Sequence, residues 1–152
     1  MKILSKSIKQ TLDIGKKIAK NLAKGDIICL FGDLGSGKTV LVKGIASGLG
    51  IKKEDVISPT FVLIRQHNAK NNIPVYHFDL YRLKGCPDVA ALGYEEFFYG
   101  GGISLIEWAD RLKELMPREC LKIKLAVKGE NSRSIEISCQ GRRYDKLMEA
   151  IT

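Results

Sequence analysis

Residues 32–39, Gly-Asp-Leu-Gly-Ser-Gly-Lys-Thr, decide how the rest of the chain is read. They match G-x-x-x-x-G-K-[ST], in which glycines let the backbone turn until consecutive N–H groups converge on phosphate oxygens. Lys38 offers a point charge to β- and γ-phosphates, and Thr39 a hydroxyl for Mg²⁺. Such a P-loop must lie between a buried strand and a helix, whose positive N-terminus adds to the anion site. Both flanks comply. Residues 26–31 (DIICLF) form a continuous apolar run suited to a strand covered on both faces. After the loop, Val40, Leu41, Ile45, Ala46 and Leu49 recur at helical spacing until Gly50.

Working outward, Ser7 and Gln10 have the spacing of a capping box, so a first helix is expected to run to about Leu22. Residues 61–64 and 75–78 read as strands of a hairpin around the turn-rich 68–74, and residues 89–99 as a helix. Residues 103–106 form another buried strand that ends in Glu107, followed by a helix over 108–115. Segments 121–127 and 134–139 alternate as a second hairpin, and a helix over 142–151 closes the chain. The expected architecture is α/β: one P-loop NTPase-type domain spanning residues 1–152, three-layered, with a mostly parallel central sheet and antiparallel additions from the hairpins.

Composition sets outer limits. The chain has 152 residues, 45% hydrophobic and 28% charged, as expected for an ordinary globular domain rather than a disordered one. No apolar run approaches the roughly 18 residues that cross a bilayer, so no membrane role and a cytoplasmic location are expected. Cys29, Cys86, Cys120 and Cys139 are scattered without C-x-x-C spacing, which argues against a zinc site or a disulfide framework, and Cys29 reads as a small core residue. The net charge of +8 is concentrated towards both ends. A basic surface can attract tRNA or a partner that holds it, although, with no run of about five or six like charges, the lysines also read as an ordinary solvated surface.

Thr39 cannot hold a metal alone, and two apolar strands deliver candidate carboxylates, Asp79 and Glu107. One acid could sit near Mg²⁺ and the other orient water, and spacing does not assign the roles. Either could instead cap a helix or pair with a cation. Thr60, within Ser58-Pro-Thr60, is placed where a switch segment brings a hydroxyl to the γ-phosphate, and also where a local turn bond would form. Arg82 and Arg111 follow the acids and could meet phosphate charge, with Glu107 or Glu114 as alternative partners for Arg111. No N-K-x-D or T-K-x-D occurs, so ATP is favoured over GTP.

Four blocks in this order, GDLGSGKT (32–39), SPTF (58–61), HFDLYRL (77–83) and EWADR (107–111), resemble the TsaE family of bacteria over nearly the whole chain. The resemblance implies a Mg²⁺-dependent ATPase that binds the TsaB and TsaD proteins. That complex makes N6-threonylcarbamoyladenosine on tRNAs reading codons that begin with A, so tRNA is met indirectly. It implies nucleotide contacts from Gly32, Asp33, Leu34, Gly35, Ser36, Gly37, Lys38, Thr39 and Val40, with Thr39 and Glu107 at Mg²⁺ and with Lys38, Asp79 and Glu107 in catalysis. Thr11 and Arg133 are carried over as further nucleotide contacts. Trp108 follows Glu107 as in the family, whereas Val40 stands where many relatives have a second threonine. Two other classes fit the residues alone: a small-molecule kinase with Asp79 as base and Arg82 as phosphate clamp, and a module whose nucleotide only sets a conformation.

Overall fold

A computed structural model describes residues 1–58 and 61–152. The chain opens with a short strand, β1 (Lys2–Ser5), and enters α1 (Ile8–Ala19) through Ser7. The Ser7 hydroxyl accepts from the Gln10 N–H at 3.1 Å, as the expected capping box requires, while the Gln10 side chain accepts from the N–H of Lys6 rather than of Ser7, at 2.7 Å, so the reciprocal half falls one residue earlier. β2 (Ile27–Phe31) leads through the glycine loop into α2 (Lys38–Gly48). Next come β3 (Ile64–Asn68) and β4 (Pro74–Asp79), then α3 (Cys86–Ala91) and α4 (Tyr94–Phe98). β5 (Ile103–Glu107), β6 (Cys120–Val127), β7 (Arg133–Gln140) and α5 (Arg142–Ile151) complete the chain.

All seven strands join one sheet in the order β1-β7-β6-β2-β5-β4-β3. β6, β2, β5 and β4 are mutually parallel, and the β3–β4, β6–β7 and β1–β7 pairs are antiparallel. Alternation splits β2 between two cores, as a strand buried on both faces requires. Ile28 and Leu30 pack with Ile18 of α1, Leu41 and Ile45 of α2, and Leu147 of α5. Ile27 and Cys29 face the other way, onto Val89, Phe98 and Leu112. The three-layer α/β expectation holds.

Several boundaries differ from the sequence expectation. β1 was not anticipated, since four residues with an exposed Leu4 carry little pattern; it is held by pairing with β7 and by the Met1 ammonium, 2.8 Å from the Ile137 carbonyl. α1 stops at Ala19 rather than Leu22. β3 begins at Ile64 rather than at residue 61, because Leu63 turns with φ 70°. The single helix expected over 89–99 is two, broken at Gly93, whose φ of 67° lies outside the right-handed helical region. Residues 108–115 form a 3₁₀ helix (Ala109–Leu115), entered through Trp108 in a left-handed conformation, φ 57°.

α1 and α2 meet through Gly15 and Gly44, where no side chain separates the backbones: a Cβ on Gly15 would lie 2.7 Å from the Ile45 nitrogen and the Leu41 oxygen. Gly15→Ala therefore forces the helices apart, and overpacking of about 1–3 kcal/mol outweighs the roughly 1 kcal/mol that alanine gains in helix propensity. The expected result in thermal unfolding is a Tm lowered by about 2–6 °C. Gly85→Ala, whose methyl would meet nothing within 4 Å, should leave Tm nearly unchanged. Equal melting of the two variants contradicts the close-crossing account.

Candidate phosphate-binding site

The loop that leaves β2 is shaped for an anion. Gly32 has φ 146° and Gly37 φ 101°, and a Cβ on Gly32 would meet the Leu125 carbonyl at 2.5 Å and the Ser36 hydroxyl at 2.6 Å. The Ser36 N–H closes the turn onto the Asp33 carbonyl at 3.1 Å. α2 begins at Gly37 with no capping side chain and no acid in its first turn, unlike α1 with its serine cap. Its first N–H groups lack intrahelical acceptors, and its dipole adds positive potential at the same point. Lys38 is buried there. Its ammonium donates to the Gly32 carbonyl at 2.5 Å, the Asp33 carbonyl at 2.9 Å and the Ser36 hydroxyl at 3.4 Å. It also lies 4.1 Å from the centre of the Trp108 ring. Burial lowers the lysine pKa, opposed by the charges of Glu107, Asp79, Asp110 and Asp33. A buried cation in an anion-shaped loop suits a phosphate group.

The sheet brings both acids to this loop. Leu30 pairs with Glu107, and Glu107 with Asp79, so three adjacent parallel strands end abreast. The Thr39 hydroxyl donates to Glu107 Oε1 at 2.7 Å, and His77 Nε2 lies 2.5 Å from Glu107 Oε2. Asp79 Oδ1 accepts from the Tyr81 N–H at 3.0 Å, and Oδ2 from the Ser58 hydroxyl at 2.8 Å. Glu107 and Asp79 are only 2% and 4% exposed, so the partners that hold them fix their positions. A hydroxyl and one or two carboxylates are the oxygen set with which Mg²⁺ is usually held beside phosphates. No group of three or more His, Cys, Asp or Glu residues among those described is arranged to hold a metal ion.

The other expected residues fall into two groups. Thr11, Val40 and Arg133 join Gly37 around a small cavity of about 80 Å³ beside the loop. Thr11 is held by the Ser5 hydroxyl at 2.8 Å, and Arg133 donates to the Ser132 carbonyl at 3.1 Å in the β6–β7 turn. Arg82 and Arg111 are engaged elsewhere. Arg82 lies over the Phe61 ring at 4.1 Å, and Arg111 pairs with Asp110 at 2.7 Å rather than with Glu107 or Glu114. Thr60 lies outside the described residues. A larger cavity of about 590 Å³, lined by Asp26, Ile27, Tyr99 and Tyr144, lies at the opposite end of β2 and contains none of the predicted residues. Convergent chemistry, not size, marks the site. Sequence reasoning gave no role to His77, although its position two residues before Asp79 on a strand places both on one face.

Comparisons with known proteins show the family and the fold. The family model described as "Threonylcarbamoyl adenosine biosynthesis protein TsaE" matches residues 5–135. A tRNA threonylcarbamoyladenosine biosynthesis protein TsaE from Bacillus subtilis is 40% identical over 143 residues, covering 94% of this chain and 88% of that protein. Its Treponema pallidum counterpart is 36% identical over 138 residues, covering 91% of this chain and 100% of that protein. The crystal structure of Bacillus subtilis YdiB superposes with a TM-score of 0.84 at 36% identity, over 99% of this chain and 93% of that one.

Lys38→Ala tests the loop directly. Loss of charge-assisted hydrogen bonds worth about 1.5–3 kcal/mol should weaken triphosphate affinity by roughly 10- to 100-fold. Calorimetric titration with a β,γ-imido analogue of ATP measures this, with circular dichroism confirming a folded variant. Unchanged affinity removes Lys38 from the site.

Proposed function

The chain belongs to the TsaE family of threonylcarbamoyl adenosine biosynthesis proteins, and from that membership we propose that it is a Mg²⁺-dependent ATPase serving N6-threonylcarbamoyladenosine formation on tRNA. The observation that carries the reading is the Thr39–Glu107 hydrogen bond, which ties the first turn after the loop to an acid abreast of Asp79. Backbone N–H groups of residues 32–39 and the Lys38 ammonium would hold the β- and γ-phosphates. Thr39 and Glu107 would hold Mg²⁺, which when bound offsets charge on the phosphate oxygens. Asp79, tied to Ser58 and the Tyr81 N–H, stands on the side where a water could be oriented for attack. The cavity between Thr11, Gly37 and Arg133 would take the part of the nucleotide that extends from the loop.

TsaB and TsaD are the proposed partners, acting in the cytoplasm, with tRNA met through their complex. Support comes from the loop's surroundings. Leu34 is 75% exposed and Phe61 82%, with Ile57 and Val62 exposed beside Ser58, so apolar surface borders the phosphate loop. Arg82 lies over the Phe61 ring, and Arg111 pairs with Asp110 beside the Trp108 ring, so a partner that brings further positive charge to this border would complete the catalytic set. No helix among the described residues is long and apolar enough to cross a membrane.

ATP turnover with and without purified TsaB, TsaD and tRNA tests the proposal. The isolated chain should turn over slowly, the partners should accelerate it, and Lys38→Ala should serve as the blank. A chain indifferent to these partners that phosphorylates a small metabolite would overturn the reading. Asp79→Asn should reduce hydrolysis by about tenfold or more while changing analogue affinity far less, since it would act mainly in the transition state, whereas Glu107→Gln should reduce hydrolysis by at least as much and also lose part of the Mg²⁺-dependent analogue affinity. Wild-type turnover in both variants would break the two-acid assignment.

A further inference from the structure

Glu107 uses its two oxygens differently. Oε1 accepts from the Thr39 hydroxyl at 2.7 Å, on the side of the phosphate loop, while Oε2 meets His77 Nε2 at 2.5 Å in the interior. His77 is 1% exposed and lies opposite Leu105 in the β4–β5 register, one step along the strands from the Asp79–Glu107 pair. Side chains two apart on a strand share a face, so the imidazole lies directly beneath the two acids. A carboxylate oxygen accepts, so the Nε2 N–H is the donor of this bond. Nδ1 has no hydrogen-bond partner among the described residues.

A histidine serving the core alone would be an unfavourable choice here. Val75 and Leu105, which share its face of the sheet, are buried apolar residues, and although Arg65 lies opposite it on β3, an apolar side chain would fill the space without leaving a ring nitrogen unsatisfied. Among the described residues, the one hydrogen bond of the ring is to the acid. We propose that His77 is a positioning residue. It clamps Glu107 through Oε2 and keeps Oε1 turned towards Thr39, thereby setting the affinity with which the site takes up a divalent cation together with a triphosphate. This rests on the ATPase reading in one respect, that the cation enters beside Thr39 and Glu107. The terminal torsion of a glutamate is broad, so an unclamped carboxylate would sample orientations that do not face the hydroxyl. Groups that orient a metal-binding side chain in this way typically alter metal affinity by about 10- to 100-fold when removed.

The test is binding, not turnover. Affinity for the β,γ-imido analogue of ATP is measured by calorimetry with and without Mg²⁺, in the wild type and in His77→Leu, His77→Gln and His77→Asn. In the wild type Mg²⁺ should tighten binding. His77→Leu should bind the Mg²⁺-free analogue within about twofold of wild type but lose roughly tenfold of the Mg²⁺-dependent gain. The glutamine amide reaches as far as Nε2 and should recover most of that gain; asparagine is too short and should not. Should His77→Leu fail to fold, the glutamine and asparagine variants still decide the matter, because they differ in reach and not in chemistry. A gain equal to wild type in the folded leucine variant, or in asparagine as much as in glutamine, overturns the proposal and leaves the ATPase reading standing. A wild type whose binding is indifferent to Mg²⁺ overturns both.

Discussion

Parallel pairing of β2, β5 and β4 is the constraint on which the rest of the structure depends. Parallel strands all end at the same edge of a sheet, and the register sets Leu30, Glu107 and Asp79 level with one another. The glycine loop leaves from that edge and α2 starts beside it, so a helix N-terminus, a lysine, a hydroxyl and two carboxylates meet within a few residues of three strand ends. Residues more than sixty positions apart, such as Thr39 and Glu107, become hydrogen-bonded partners with no flexible segment of their own. The position fits the general rule that ligands of open α/β sheets bind outside the carboxyl ends of the strands.

Polar groups are concentrated at that edge while the body of the sheet stays apolar. Among the buried polar side chains, Ser36, Lys38, His77, Asp79 and Glu107 belong to the site or its floor, whereas β2 itself is buried with apolar residues on both faces. Burying this many ionisable groups costs stability unless each is paired, and the pairs here run through the loop carbonyls, Thr39, Ser58 and His77. The close crossing of α1 on α2 at Gly15 and Gly44 holds the loop-bearing helix against the sheet. Trp108 closes the other side: in its left-handed conformation the ring comes under the Lys38 ammonium and packs against Tyr81 at a tilt of 44°, 4.9 Å between centres.

Much of this was legible in the chain. The glycine loop, its strand and its helix are contiguous, and both acids close continuous apolar runs, so local pattern sufficed to place them. Helix ends were legible where a side chain signals them, as Ser7 and Gln10 do. Boundaries failed where backbone conformation overrides the apolar pattern. Gly93 divides a stretch whose spacing reads as one helix, Leu63 and Trp108 adopt positive φ without being glycine, and β1 exists only because β7 accepts it. The partners of the two arginines, left open by the sequence, were not legible for a similar reason, since the Phe61 ring and Asp110 are met through packing rather than at helical spacing.

By itself the sequence determined the fold class, the glycine loop between strand and helix, the two acids at strand ends and the family, because each is written in a short run of residues whose local chemistry has few alternatives. Only the tertiary structure decided that Glu107 faces Thr39 with one oxygen and His77 with the other, that Thr11 and Arg133 share one cavity beside Gly37, and that Arg82 meets the Phe61 ring and Arg111 meets Asp110. The physical reason is register. A shift of one residue between β4 and β5 would send the side chains of one strand to the opposite face and separate His77 from Glu107, and the interactions that prevent it are spread across the whole sheet and both of its cores.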